Sequence, residues 1–265
     1  MTALLDGGIW GYALSWLQKI CAIYLLVVGV YRRKIWMSVF ALIILLFLFG
    51  VLAQKSILFA AVVALGILAT WWLVEVGSAI ALALVALLLV VLDVGYFAFG
   101  STDLYLSIFT RRLFFVPARL DFVYFHFFAD KAPLYFSNGF MRSLLTYPFD
   151  KNHTLLIGEF AKIGGEGTAA NNGFLATGYM QLGWAGTVIY PVIVAALCWL
   201  AKVLSKGNSL KHVAAVCFYP FASLFTSADL PTSILTHGIG LLLCLLWLDS
   251  WGLRAHGSTN GHSIK

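Results

Sequence analysis

Arg111, Arg112 and Arg119 crowd into the stretch RRLFFVPARLDFVYFHFF, residues 111–128, and Arg142 follows further along. A guanidinium fork matches phosphate oxygens two at a time, so two or three such side chains could hold a pyrophosphate. The same stretch carries Asp121, His126 and seven aromatic rings. Pro117 suits the first turn of a helix, where its missing N–H costs nothing. A helix over 117–129 places Arg119, Val123, His126 and Asp130 along one side, with Arg112 just before it. Phe122, Phe125 and Phe128 fall on the other side, and Tyr124 suits headgroup depth. The pattern reads as a basic stripe over an aromatic cushion, a site for a lipid-linked anion at the outer leaflet. The plainer alternative is interfacial anchoring, with arginines that snorkel to headgroups.

Two further stretches carry polar side chains that chemistry could use. His153 lies in KNHTLLIGEFAKIGGEG, and a histidine near its ordinary pKa can serve as a base. His126 reads first as a satisfied interfacial histidine. Asn171 and Asn172 lie in EGTAANNGFLATGYMQLGWAG, where the chain approaches an apolar span. Either can cap the helix that starts there. Alternatively the paired amides bind sugar hydroxyls or a phosphate at a helix N-terminus. Gly178, Gly183 and Gly186 permit close helix approach. Asp229 sits in SADLPTS, residues 227–233, facing a cavity or starting a turn with Pro231. Asp93 could pair with an arginine of the long loop.

These residues must be positioned by elements that belong in lipid. The 265-residue chain is 62% hydrophobic and only 11% charged, and its mean hydropathy is +0.93. That excludes a soluble globular protein. Lipid forces backbone pairing within each helix, so the fold class is all-α, a polytopic transmembrane bundle. Seven apolar spans are expected, over 9–31, 35–53, 57–74, 78–99, 174–200, 213–228 and 232–250. The first is weakened by Gln18 and Lys19 near its middle and could lie along the membrane surface. Arg32, Arg33 and Lys34, then Lys202, Lys206 and Lys211, then Arg254 and Lys265, mark the cytoplasmic side. Residues 1–99 thus hold spans one to four, 100–173 form a large outward (periplasmic) loop, 174–250 hold spans five to seven, and 251–265 form a cytoplasmic tail. The N-terminus then lies outside, which also suits the C-terminal part of a longer chain. The loop is rich in aromatics and poor in polar runs, so it is expected to fold onto the membrane face rather than be disordered.

The net charge of +6 is accounted for by cytoplasmic anchoring, so no nucleic-acid partner is implied. Cys21, Cys198, Cys217 and Cys244 all fall in apolar spans, with neither a disulfide framework nor a metal-ligand spacing. The start, MTALLDGG, lacks the basic region and cleavage site of a signal peptide. No span carries a chain of central charges, which argues against a proton-coupled transporter.

Taken in series, RRLFFVPARLDFVYFHFF, LYFSNG, LLIGEF and AANNGFLATGYMQLGWAG resemble the Wzy-type polymerases of bacterial O-antigen and capsule repeat units. The likeness covers about residues 100–190. O-antigen ligases are relatives in architecture, marked by a His-Asn pair before a span and a GxxG after it. Here Gly183-Trp184-Ala185-Gly186 matches the GxxG, but Asn171-Asn172 stands where the pair belongs. His153-Thr154 with Gly164 and Gly167 gives a looser match in which threonine replaces the amide. Both departures favour polymerase over ligase. The resemblance implies a metal-independent glycan transfer, without cofactor, on the outer face of the bacterial cytoplasmic membrane. Its substrates would be undecaprenyl-pyrophosphate-linked glycans, and a chain-length regulator and a flippase of the same pathway would be its partners. Arg112, Arg119, His126 and His153 become candidate catalytic residues, and Arg111, Tyr124, Arg142, Asn171 and Asn172 candidate substrate-binding ones. Asp121 is a further candidate base. A lipid-linked oligosaccharide flippase, which is not an enzyme, is the alternative outside this class. It would want charges spread along many spans rather than gathered in one loop. A glycosyltransferase using a polyprenyl-phosphate sugar would want an acidic residue in its first outward loop, where 54–56 reads Gln-Lys-Ser.

Overall fold

The computed structural model describes residues 9–77, 80, 83–88, 90, 91, 94, 115–162 and 167–260. Among these every regular element is helical, as lipid solvation requires. The helices are α1 (Ile9–Trp16), α2 (Ala22–Tyr31), α3 (Ile35–Leu52), α4 (Lys55–Val76), α5 (Val116–Phe128), α6 (His153–Phe160), α7 (Phe174–Leu182), α8 (Gly186–Leu204), α9 (Leu210–Thr226), α10 (Leu230–Leu235) and α11 (Ile239–Asn260). Five segments are long and apolar enough to cross a membrane: Trp10–Tyr31, Ile35–Leu52, Lys55–Glu75, Phe174–Leu204 and Leu230–Trp251. The expected sixth span is a shorter apolar helix of 17 residues, α9. The expected fourth, over 78–99, falls largely outside the described residues, as does Asp93.

The chain divides into two compact units. The first comprises 1–75, 195–222 and 231–265. Its helix α3 buries only a narrow stripe, Ala41, Leu45 and Leu48, at helical spacing. Trp36, Ile43 and Phe47 stand outside that stripe with large exposed surfaces. An apolar helix with apolar residues on its exposed side is one that faces lipid. Gly29 of α2 lets the backbone approach α3, because a Cβ there would lie 2.7 Å from the Ser38 nitrogen, a small-residue contact of the kind membrane helices use. Asp249 of α11 pairs with Arg32 at the end of α2. The two polar residues that weakened the first span, Gln18 and Lys19, lie in a π-helical turn over Leu17–Cys21 that joins α1 to α2, and the segment nonetheless remains long and apolar enough to cross.

The second unit comprises 76–194 and 223–230. Here the described part of the long loop folds around a core that it shares with α7. Leu120, Tyr124 and Phe128 recur every fourth residue of α5, so one face of that helix is buried. It packs with Leu134, Ile157, Ala170, Ala176, Tyr179 and Met180. Phe127 and Phe149 lie 6.0 Å apart by ring centroid, and Phe125 stacks on Tyr179 at 4.4 Å. Most rings of the stretch therefore form a protein core. This corrects the expectation that Phe125 and Phe128 share a lipid-facing cushion: Phe128 is buried, while Phe122 is 78% exposed. The sequence alternation shows which residues are apolar but not what covers them.

The expected fifth span is not one rod. Gly183, at φ +61° and ψ −147°, closes α7, and a 3₁₀ turn over Gly183–Ala185 leads into α8. In a straight helix residues eight apart stand about 12 Å apart. Here the backbones of Gly178 and Gly186 touch, and a Cβ at Gly178 would lie 2.8 Å from the Gly186 carbonyl oxygen. The glycines serve close approach, as expected, but across a bend in their own chain.

Candidate functional site

Two groups of polar residues lie within the second unit. The first is organised by Asn172, which is almost wholly buried. Its Nδ2 donates to Asp121 Oδ1 at 2.9 Å, and its Oδ1 accepts the Gly173 N–H at 2.8 Å. Gly173, not either asparagine, is the N-cap residue of α7. Asn172 therefore ties α5 to the start of α7 rather than capping the helix in the ordinary way. Asn171, beside it, is exposed. Burial raises the Asp121 carboxyl above its ordinary value, and the Asn172 amide partly offsets this. A carboxylate moved toward neutrality is better matched to proton abstraction than an ordinary surface aspartate. Asp229 accepts the Leu230 N–H at 2.8 Å and lies beside Thr177; burial raises its carboxyl too.

Arg119 and His126 are both exposed and flank the same end of α6. Arg119 Nη2 donates to the Ala161 carbonyl oxygen at 3.3 Å, and the His126 ring lies 5.6 Å from that of Phe160. The expected shared face of α5 is thus present. Arg111 and Arg112 lie outside the described residues. Tyr124 is not at a surface. It has 0% exposure and donates to the Ala170 carbonyl oxygen at 2.8 Å, so its role here is in the core.

The second group surrounds a polar pocket of about 210 Å³ lined by Ser137, Asn138, Arg142, Tyr147, Phe149, Asp150, Lys151, Asn152 and His153. The pocket brings Arg142 and His153 together, a pairing that no spacing in the sequence signals. Loop 134–136 closes α7: the Leu134 and Tyr135 N–H groups donate to the carbonyls of Met180 and Gln181, each at 3.0 Å. The bend requires positive φ at Tyr135 and Phe136, +46° and +64°, a conformation non-glycine residues rarely adopt. It aims a chain of amides at the pocket. Phe136 N–H donates to Gln181 Oε1 at 2.8 Å, so the Gln181 Nε2 faces Asn138 Oδ1, at 2.9 Å. That leaves Asn138 Nδ2 facing His153 Nδ1 at 3.4 Å.

The direction of this chain is set by its first member, a backbone N–H that can only donate. His153 Nδ1 is therefore the acceptor, and the neutral ring carries its proton on Nε2. Burial pushes the ring pKa down to about 4, so His153 is neutral at physiological pH. With Nδ1 occupied and Nε2 protonated, it is a hydrogen-bond donor to the pocket rather than a base. Asn152 opens α6, accepting the Thr154 N–H at 3.1 Å. Gln181, Asn138 and Ser137 had no place among the sequence candidates. LYFSNG contains Ser137 and Asn138, but neither spacing nor type shows that Asn138 meets Gln181, 43 positions later in the chain. Among the described residues no group of His, Cys, Asp and Glu could hold a metal ion.

No protein-family model, curated protein or solved structure matches this chain.

Proposed function

We propose that this protein is a membrane glycan polymerase, transferring a growing chain from a polyprenyl pyrophosphate to a lipid-linked repeat unit on the outer face of the membrane. The observation that carries the reading is the joining of Asp121, on the arginine-bearing helix α5, to Asn172 at the start of the membrane-directed helix α7. That pairing holds a carboxylate raised by burial on the same short helix as the exposed Arg119. It supplies the base that the sequence left unassigned among His126, His153 and Asp121. His153 is withdrawn from that role by its Nε2 proton and becomes a binding residue.

In the proposed step an acceptor hydroxyl attacks the anomeric carbon of the donor sugar. The bond from that carbon to the pyrophosphate oxygen breaks, and the lipid pyrophosphate leaves with the electron pair. The acceptor proton passes to Asp121. Arg119, with Arg111 and Arg112 preceding it in the chain, neutralises the departing pyrophosphate. The leaving group is already good, so positioning and charge stabilisation are the main demands.

The test is complementation of a host strain lacking this chain, with its surface glycan displayed on a gel. Asp121→Asn and Arg119→Ala are expected to remove the ladder beyond one repeat while the protein still reaches the membrane at normal levels. Loss of a general base typically costs about 100-fold or more. A normal ladder in both variants sinks the proposal. Full-length polymer stranded on its carrier points instead to a ligase, and repeat units trapped on the cytoplasmic side to a flippase.

A further inference from the structure

We infer that the pocket between Arg142 and His153 is a subsite for an acidic sugar, a pyranose bearing a carboxylate, within the glycan substrate. The inference rests on the reading that this chain handles a glycan, and goes beyond it by naming the class of sugar. Four features converge. Arg142 is exposed, and among the described residues no carboxylate lies within ion-pairing distance of it; its fork is free to take a carboxylate two oxygens at a time. His153 presents Nε2–H, fixed by the amide chain from Gln181. Ser137 is 2% exposed, its buried hydroxyl has no hydrogen-bond partner, and the residue lines the pocket. An orphaned buried hydroxyl is costly unless a ligand satisfies it.

The fourth feature is the mixture of surfaces. Phe149 and Tyr147 line the pocket, and the apolar face of a pyranose packs against aromatic rings while its hydroxyls need donors and acceptors. Asp150 supplies an acceptor for those hydroxyls. Lys151 also lines the pocket, but its ammonium is held by Glu159 at 2.8 Å, so Arg142 is the cation left for the ligand. The pocket also opens at the start of α6, whose first turn is electropositive. Ser137 and Phe149 lie as well on the wall of a larger, mostly apolar cavity of about 470 Å³. That neighbour gives room for the next sugar of the chain.

The experiment uses the full chain in detergent and measures binding by calorimetry with two probes, a glucuronic-acid-containing disaccharide and its glucose counterpart. The acidic probe is expected to bind at least ~10-fold more tightly, because a charged hydrogen bond lost to the neutral probe is a factor of that order. Arg142→Ala is expected to erase the difference, and Arg142→Lys to restore part of it through charge without the fork. Ser137→Ala is expected to weaken both probes alike. Equal affinity for the two probes, no binding of either, or an undiminished preference in Arg142→Ala overturns the inference. The polymerase reading is judged separately by the glycan ladder: a lost ladder with no acidic preference removes the subsite alone, and a normal ladder with the preference intact removes the polymerase alone.

Discussion

At the scale of the residue, the chemistry turns on which way protons face. The sequence offers His153 as a base, and only the orientation of three amides turns it into a donor. No spacing rule could reveal this, because Phe136, Gln181, Asn138 and His153 are gathered by folding from separate stretches. Its buried neutrality has a stability consequence. The ring pKa is about 4 in the folded chain against 6.5 for the free side chain. The unfolded state binds the extra proton first, so the contribution is complete above about pH 6.5 and is lost as pH falls from there toward 4. Thermal unfolding between pH 7 and pH 4 should therefore fall more steeply in the wild type than in His153→Gln; parallel curves would show that His153 is not buried neutral. Tyr124 gives a contrasting case. Tyr124→Phe removes one buried hydrogen bond, to Ala170, and is expected to lower stability by about 1 kcal/mol. Polymer length should not change, and a shortened ladder at normal protein levels would return Tyr124 to the substrate.

At the scale of the element, composition made the helices legible and concealed their bends. Apolar runs identify α3 and α4 closely, since in lipid a helix of that length has no competitor. The stretch 174–200 reads as one span because hydropathy does not register a backbone angle. The signal that was present is Gly183 followed by Gly186, and its consequence is the contact between Gly178 and Gly186. Gly186→Ala would drive its methyl into the Gly178 backbone, which cannot move aside as a flexible side chain could. Gly183→Ala would hold a side chain at φ +61°, ψ −147°, a conformation close to glycine's preserve, at a cost of roughly 1–3 kcal/mol. Both should lower the melting temperature and increase protease cleavage, whereas Gly50→Ala, with open space around it, should leave both nearly unchanged. Unchanged melting in Gly186→Ala would contradict the bend. The aromatic stretch teaches the same lesson. Its helix start at Pro117 and the shared side of Arg119 and His126 follow from periodicity, while the burial of Phe128 depends on Ala176, Met180 and other residues distant in sequence.

At the scale of the whole molecule, the charge distribution predicts an orientation. Lys202, Lys206 and Lys211 lie in or beside the turn between α8 and α9, and because short basic loops tend to stay in the cytoplasm, this turn is expected on the cytoplasmic side. With the native cysteines replaced, a cysteine at Lys206 should be shielded from a membrane-impermeant thiol reagent applied from outside, and one at Asn138 should react; the reverse pattern would invert the topology. That the chain is helical and suited to a membrane was plain from composition. The aromatic content of the long loop suggested a segment folded onto the membrane face; its described part instead packs its rings into a core with Ala176, Tyr179 and Met180. What composition could not supply was how that loop groups its polar side chains, Asp121 with Asn172 and Arg142 with His153 around one pocket, on which the proposed roles in transfer and recognition rest. The central claim is the transfer itself. Its most direct test is to place the purified chain in liposomes with pyrophosphate-linked repeat units on the face carrying residues 116–162, and to resolve the glycans by size. A ladder of multiples of the repeat is expected, with release of lipid pyrophosphate, and Asp121→Asn should abolish both. Persistence of single repeat units alone, with the wild-type chain folded and both substrates present, would contradict it.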